Sequence, residues 1–110
     1  MTTKARVGAS RMDDYQQDCL RTANDASLAV VALGIAGEAG EVCDLVKKHV
    51  GHGHSLDRDE IIEELGDLLW YVAVMAASLD VKLSDVAGGN TQKLKVRYPN
   101  GFDVARSINR

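Results

Sequence analysis

Four carboxylates set into apolar helical repeats constrain this chain more than any other feature. Glu38-Ala39-Gly40-Glu41 and Glu64-Leu65-Gly66-Asp67 each place two acids three residues apart. On a helix of about 3.6 residues per turn, such a pair lies on one face, roughly 60° apart around the axis. At about 100° per residue, Glu38 falls among Val31, Ile35, Val42 and Leu45, and Glu64 among Ile61, Leu68, Tyr71 and Met75. Glu41 and Asp67 fall at the edges of the same stripes. Burying a carboxylate without a partner is unfavourable or keeps it protonated. Acids on an apolar face therefore call for a cation, either Lys/Arg or a metal ion. Surface acids displaced by one position are the simpler explanation for one pair, but the same spacing on two consecutive helices weighs against it.

The rest of the sequence narrows the setting. A chain of 110 residues is one domain with a modest core, for which oligomerisation is a natural supplement. The net charge of −3 and the absence of long Lys/Arg runs argue against nucleic acid or an anionic membrane as the main partner. Cys19 and Cys43 lack redox or zinc spacing and read as small packing residues in a reducing compartment. The polar N-terminal residues do not form a secretory signal, and no apolar run approaches the roughly 18 residues of a membrane span. The expected location is cytoplasmic.

Residues 1–11 read as a flexible tail, 12–102 as a single helical domain and 103–110 as a C-terminal tail. Periodicity predicts helices over 12–23, 26–50, 57–80 and 84–98, an all-α bundle. Asp13 and Asp14 suit the positive end of the first helix. In the second, Gly34, Gly37 and Gly40 each cost roughly 1 kcal/mol against alanine. They imply close approach by a neighbouring helix or a ligand. Lys47, Lys48 and His49 suit the helix's negative C-terminal end. A break is expected at Gly51, and His49, His52 and His54 read as polar loop residues rather than metal ligands.

Asp57 and Glu60 form a capping-box-like pair for the third helix, whose apolar second half belongs at the centre of a bundle or at a subunit interface. Trp70 lies roughly 120° from Glu64 and is assigned to packing or a subunit contact. Ser84 is the expected N-cap of the fourth helix, which Gly88-Gly89 should weaken. Asn90, Lys93 and Arg97 share one face, and Pro99-Asn100-Gly101 should end the helix in a turn.

Hard cations such as Mg²⁺ take oxygen ligands and leave positions for water and substrate phosphate. Four helical carboxylates without histidine match that preference. No Glu is followed by His three residues on, which sets this chain apart from di-iron bundles. With aromatic residues at 5%, a sugar cleft is a poor fit. If Asn90, Lys93 and Arg97 stand opposite the acids, the two halves suit a polyphosphate hydrolysed at phosphorus.

Gly37-Glu38-Ala39-Gly40-Glu41-Val42, Glu63-Glu64-Leu65-Gly66-Asp67-Leu68-Leu69, and Asn90-x-x-Lys93 followed by Arg97-Tyr98-Pro99 resemble the MazG-like nucleotide pyrophosphohydrolases. The likeness spans roughly residues 15–102. It implies an all-α bundle of four to five helices whose core is completed by dimerisation, as a homodimer or homotetramer. It also implies Mg²⁺-dependent (or Mn²⁺-dependent) cleavage of a nucleoside triphosphate to the monophosphate and pyrophosphate. Carried over position by position, Glu38, Glu41, Glu64 and Asp67 would hold the metal, with one of them accepting a proton from the attacking water. Asn90, Lys93 and Arg97 would contact phosphates or sugar, helped by Lys47 or Lys48, while Tyr71 would border the nucleoside. Gly88-Gly89 departs from the family pattern. Rival readings are a helical dimer that binds nucleotide or protein without turnover, and a hydrolase of another phosphate compound.

Overall fold

Local sequence decides where each helix starts and stops. The structure, a computed structural model, describes residues 9–110, with side chains from Arg11 onward. It holds five helices and, among the described residues, no strand: α1 (Ala9–Leu20), α2 (Leu28–His52), α3 (Arg58–Ser78), α4 (Leu83–Arg97) and α5 (Val104–Ile108). The expected all-α class is what folds. The flexible tail expected over 1–11 lies mostly outside the described residues, but Ala9 is already helical.

Ser27 caps α2, its Oγ accepting the Val30 N–H at 3.2 Å. The helix runs through Gly51 and ends only at Gly53, whose φ of +74° suits glycine and whose N–H reaches the Lys48 carbonyl. Asp57 caps α3 as expected, accepting the Glu60 N–H at 3.1 Å. The turn after α4 also forms, closed by Gly101 at φ +89°. α5 falls in the segment read as a tail. Asp103 caps it through the Arg106 N–H at 3.0 Å, and its five residues are too few to show periodicity.

The start of α4 departs from the sequence reading. Ser84 is not its N-cap; that position is Lys82, which supplies no side-chain bond. The free N–H groups are met instead from α1. Gln16 Oε1 accepts the Leu83 N–H at 3.0 Å, and Asp13 accepts both the Ser84 N–H at 2.9 Å and the Ser84 hydroxyl at 2.7 Å. Those bonds to Ser84 hold the Asp13 carboxyl below its ordinary value. Because α1 begins at Ala9, Asp13 lies past its first turn and serves α4 rather than its own helix. Gln16 is buried, and its Nε2 also donates to the carbonyls of Ala73 and Val81 at 3.2 and 3.0 Å. One side chain thus ties α1 to α3 and to the start of α4. Gly88 and Gly89 do not interrupt α4.

α2 and α3 form a hairpin. Gly34 lies against Tyr71, Glu38 against Glu64, and the Lys48 charge near Glu60. Numbers rise along α2 as they fall along α3, so the pair is antiparallel. α1 packs on α3 and α4. The core is small: Cys19, Val31, Ala73, Val74 and Leu83, with Met12, Tyr15, Trp70, Tyr71 and Met75 around it. Cys43, expected as a packing residue, is exposed. Large apolar side chains also remain open, with Leu33 72% and Leu65 48% exposed. Among the described residues, no helix is long and apolar enough to cross a membrane.

Candidate metal centre

The face assignment made from periodicity holds. Val31, Ile35, Val42 and Leu45 beside Glu38, and Ile61, Leu68, Tyr71 and Met75 beside Glu64, are all buried or half-buried. Glu38 and Glu64 are half-buried with them, whereas Glu41 and Asp67 are exposed at the edge.

The hairpin brings Glu38 from α2 together with Glu64 and Asp67 from α3, one carboxylate oxygen of each lying within 4.8 Å of the others. Glu38 Oε2 is buried and has no hydrogen-bond partner. The Glu38 carboxyl beside Glu64, then burial, then the Asp67 charge push the Glu64 carboxyl above its ordinary value. The ion pairs found among the described residues both lie elsewhere, at Asp44. Three carboxylates, one of them with a buried and unanswered oxygen, fit a small hard cation, which would neutralise their charge.

Beside the acids lies a hollow of about 370 Å³, lined by Thr22, Glu38, Asp67, Trp70 and Tyr71. Tyr71 was expected at this border. Trp70, expected in packing or a subunit contact, does pack against the core, and it also lines this hollow, three residues and roughly 60° from Asp67. Its indole N–H donates to Thr22 Oγ1 at 2.9 Å, and the Thr22 hydroxyl donates to the Cys19 carbonyl at 3.1 Å. The Trp70 and Tyr71 rings meet edge to face, 4.9 Å between centroids. Nothing in the local sequence marks Thr22, which arrives from the turn after α1. Tyr15 also faces this region. Its hydroxyl is pushed up to about 12, by burial first, then by contact with Cys19, with the Asp67 charge adding to it.

Of the three α2 glycines, Gly34 alone meets a close neighbour: a Cβ there would collide with the Tyr71 ring. Gly37 and Gly40 face no atom within 4 Å, so the close approach expected at those positions is absent within the chain.

The remaining expected site residues lie apart from the three acids. Glu41 is one turn along α2 and outside their 4.8 Å group. Lys47 and Lys48 both bind Asp44, at 3.0 and 2.8 Å. Those two contacts, Lys48 first, hold Asp44 down to about 2, while Glu60 and Glu41 add weakly to the Lys48 field. Asn90 and Lys93 line a trough with Met12, Leu69, Val72 and Val86. Lys93 and Arg97 line a groove with α5. None of these cations borders the acid hollow. His49 Nδ1 meets the His54 carbonyl at 2.8 Å, and the histidines form no metal-type group among the described residues.

An antiparallel helical hairpin with carboxylates converging from both members defines an all-α protein with an acidic centre that could hold a metal ion. The chain belongs to the MazG nucleotide pyrophosphohydrolase domain family, which it matches over residues 27–102. It is 40% identical over 87 residues to the Gene 37 protein of Mycobacterium phage L5, an alignment covering 76% of each chain. No solved structure gives a significant match. The family match spans α2 to the turn after α4, leaving α5 outside it.

Proposed function

We propose that this protein is a Mg²⁺-dependent nucleoside triphosphate pyrophosphohydrolase, a nucleotide-pool house-cleaning activity of the cytoplasm. The observation that carries this reading is the orphaned, buried Glu38 oxygen beside Glu64 and Asp67. Family membership points to the nucleotide. Mg²⁺, or Mn²⁺ in its place, supplies neutralisation of phosphate charge and activation of water when bound.

In the proposed reaction a water oxygen bonds to the α-phosphorus and the bond from that phosphorus to the α–β bridging oxygen breaks. Pyrophosphate leaves, and a proton from the water passes to a carboxylate of the centre. Glu38, Glu64 and Asp67 would hold the cation, with Glu41 from the next turn of α2 as a further ligand. Trp70 and Tyr71 wall the nucleoside side. Asn90, Lys93 and Arg97 hold phosphates as part of a second copy of the chain, and Lys47 or Lys48 assists after leaving Asp44. Exposed Leu33, Leu65 and Leu69 motivate the homodimer or homotetramer that this arrangement requires.

The test is a nucleotide panel incubated with Mg²⁺, with products identified. Monophosphate plus pyrophosphate supports the reading; diphosphate plus inorganic phosphate, or no turnover by protein that still binds Mg²⁺, overturns it.

A further inference from the structure

The hollow beside the acids has two unlike walls. Glu38 and Asp67 form one, and Thr22, Trp70 and Tyr71 the other, around about 370 Å³. That volume lies within the range of small-molecule sites. The orphaned Glu38 Oε2 marks the acid wall as the place of a cation. The aromatic wall is braced by contacts that reach beyond the hairpin. Gly34 gives the Tyr71 ring room against α2, and Tyr71 meets Trp70 edge to face, at 89° and 4.9 Å between centroids. At the far side of the indole, the Trp70 N–H donates to Thr22 Oγ1 at 2.9 Å. Thr22 is itself anchored. Its hydroxyl donates to the Cys19 carbonyl at 3.1 Å, and its backbone N–H reaches the same oxygen at 3.2 Å. With its one proton committed there, the hydroxyl presents a lone pair to the indole.

That bond does more than satisfy a polar group. Thr22 is exposed, so water would serve the indole N–H nearly as well. A protein acceptor at that place also fixes the rotation of the ring. Held by Tyr71 on one side and Thr22 on another, the indole has its orientation before any ligand arrives. A second consequence concerns recognition. The N–H is the only hydrogen-bonding group of an indole. With Thr22 holding it, Trp70 offers a ligand its π surface alone. Every base has a π face, so such a contact tolerates any of them.

We infer that Thr22 is a positioning residue, which orients Trp70 through the indole N–H as a stacking surface for a nucleobase, with no base-reading bond from Trp70. The inference rests on the proposed function for the choice of a nucleotide as ligand. It goes beyond that reading in giving the turn after α1 a role at the site, since Thr22 lies outside residues 27–102 of the family match.

Trp70 is the one tryptophan of the chain, so its emission reports on this ring directly. Thr22→Val keeps the shape of the side chain and removes the acceptor, whereas Thr22→Ser keeps the acceptor. In the metal-free full chain, Thr22→Val should lower the anisotropy of Trp70 emission and increase its quenching by acrylamide; Thr22→Ser should match the wild type. Calorimetric Mg²⁺ affinity should be the same in all three, which a general distortion of the hairpin would not allow. An α,β-methylene nucleoside triphosphate, which resists the proposed cleavage, should quench wild-type Trp70 in the presence of Mg²⁺. Its affinity should fall roughly three- to tenfold in Thr22→Val, about the worth of one hydrogen bond, and recover in Thr22→Ser. The loss should be alike for every base the wild type accepts. Unchanged ring mobility or unchanged analogue affinity in Thr22→Val overturns the inference. So does weakened Mg²⁺ binding in that variant, failure of Thr22→Ser to recover, a loss confined to one of several accepted bases, or an absence of any nucleotide effect on Trp70. Turnover is scored separately. Hydrolysis to monophosphate with a KM that Thr22→Val leaves unchanged sinks this inference alone, and Thr22-dependent binding without hydrolysis sinks the enzyme reading alone.

Discussion

The carboxylates of Glu38 and Glu64 meet across the α2–α3 hairpin, and Glu38 Oε2 is buried there with no hydrogen-bond partner. Two acids held in contact by the packing of long helices cannot both ionise freely. The fold therefore holds an electrostatic conflict that a cation resolves.

That conflict has a signed pH dependence. Glu38 beside it, with burial and Asp67, raises the folded carboxyl pKa of Glu64 above the ordinary 4.5. Between the two values the folded chain binds more protons than the unfolded one, so metal-free stability falls as pH rises through that window. Melting temperatures measured across the acid range should show this decline, and saturating Mg²⁺ should flatten it. Glu38→Gln should raise the metal-free melting temperature at neutral pH while lowering Mg²⁺ affinity by more than about 100-fold, the upper end of what partners outside a ligand set cost. Glu41→Gln, outside the close group, should cost less affinity than Glu38→Gln.

Gly34 and Tyr71 set how closely the hairpin arms approach beside the hollow. Gly34→Ala puts a Cβ into the Tyr71 ring. Displacing the ring should destabilise the protein by about 1–3 kcal/mol, the usual range for overpacking. Gly37→Ala and Gly40→Ala meet nothing within the chain and should not destabilise it by the same route. Denaturant unfolding of the three variants checks the contrast; equal losses would remove the Tyr71 contact as the cause.

Gln16 carries the junction of α1, α3 and α4. Gln16→Ala strands the Leu83 N–H and the carbonyls of Ala73 and Val81. Unsatisfied buried groups cost about 1–3 kcal/mol each, so a loss near 3 kcal/mol is expected by denaturant melts. Asp13→Asn should also destabilise, and differently with pH. The native Asp13 carboxyl is held low by Ser84, so its contribution is present above the ordinary value of 3.8 and fades as pH falls through the lower folded value. The gap between wild type and Asp13→Asn should therefore close in acid.

The sequence-level reading succeeded where a residue's face follows from its own helix. Glu38 and Glu64 among apolar neighbours, and caps such as Asp57 and the Gly101 turn, depend on residues a few positions away. It failed where the partner comes from another element. Asp13 reads as an ordinary first-turn acid until α4 arrives beside it, and Gln16 has no local signature. Lys47 and Lys48, by contrast, pair within their own helix, with Asp44 one turn away. Cys43 and α5 were missed because apolar content alone does not decide burial, and five residues carry too little pattern.

Hydrolysis in isotopically heavy water tests the central account most directly. With a turned-over nucleoside triphosphate, Mg²⁺ and heavy-oxygen water, mass spectrometry should find the label in the monophosphate and none in the pyrophosphate. The same label should be absent from both in Glu38→Gln. Heavy oxygen in pyrophosphate, or unaltered labelling by Glu38→Gln, would contradict attack at the α-phosphorus by a centre built on Glu38, Glu64 and Asp67.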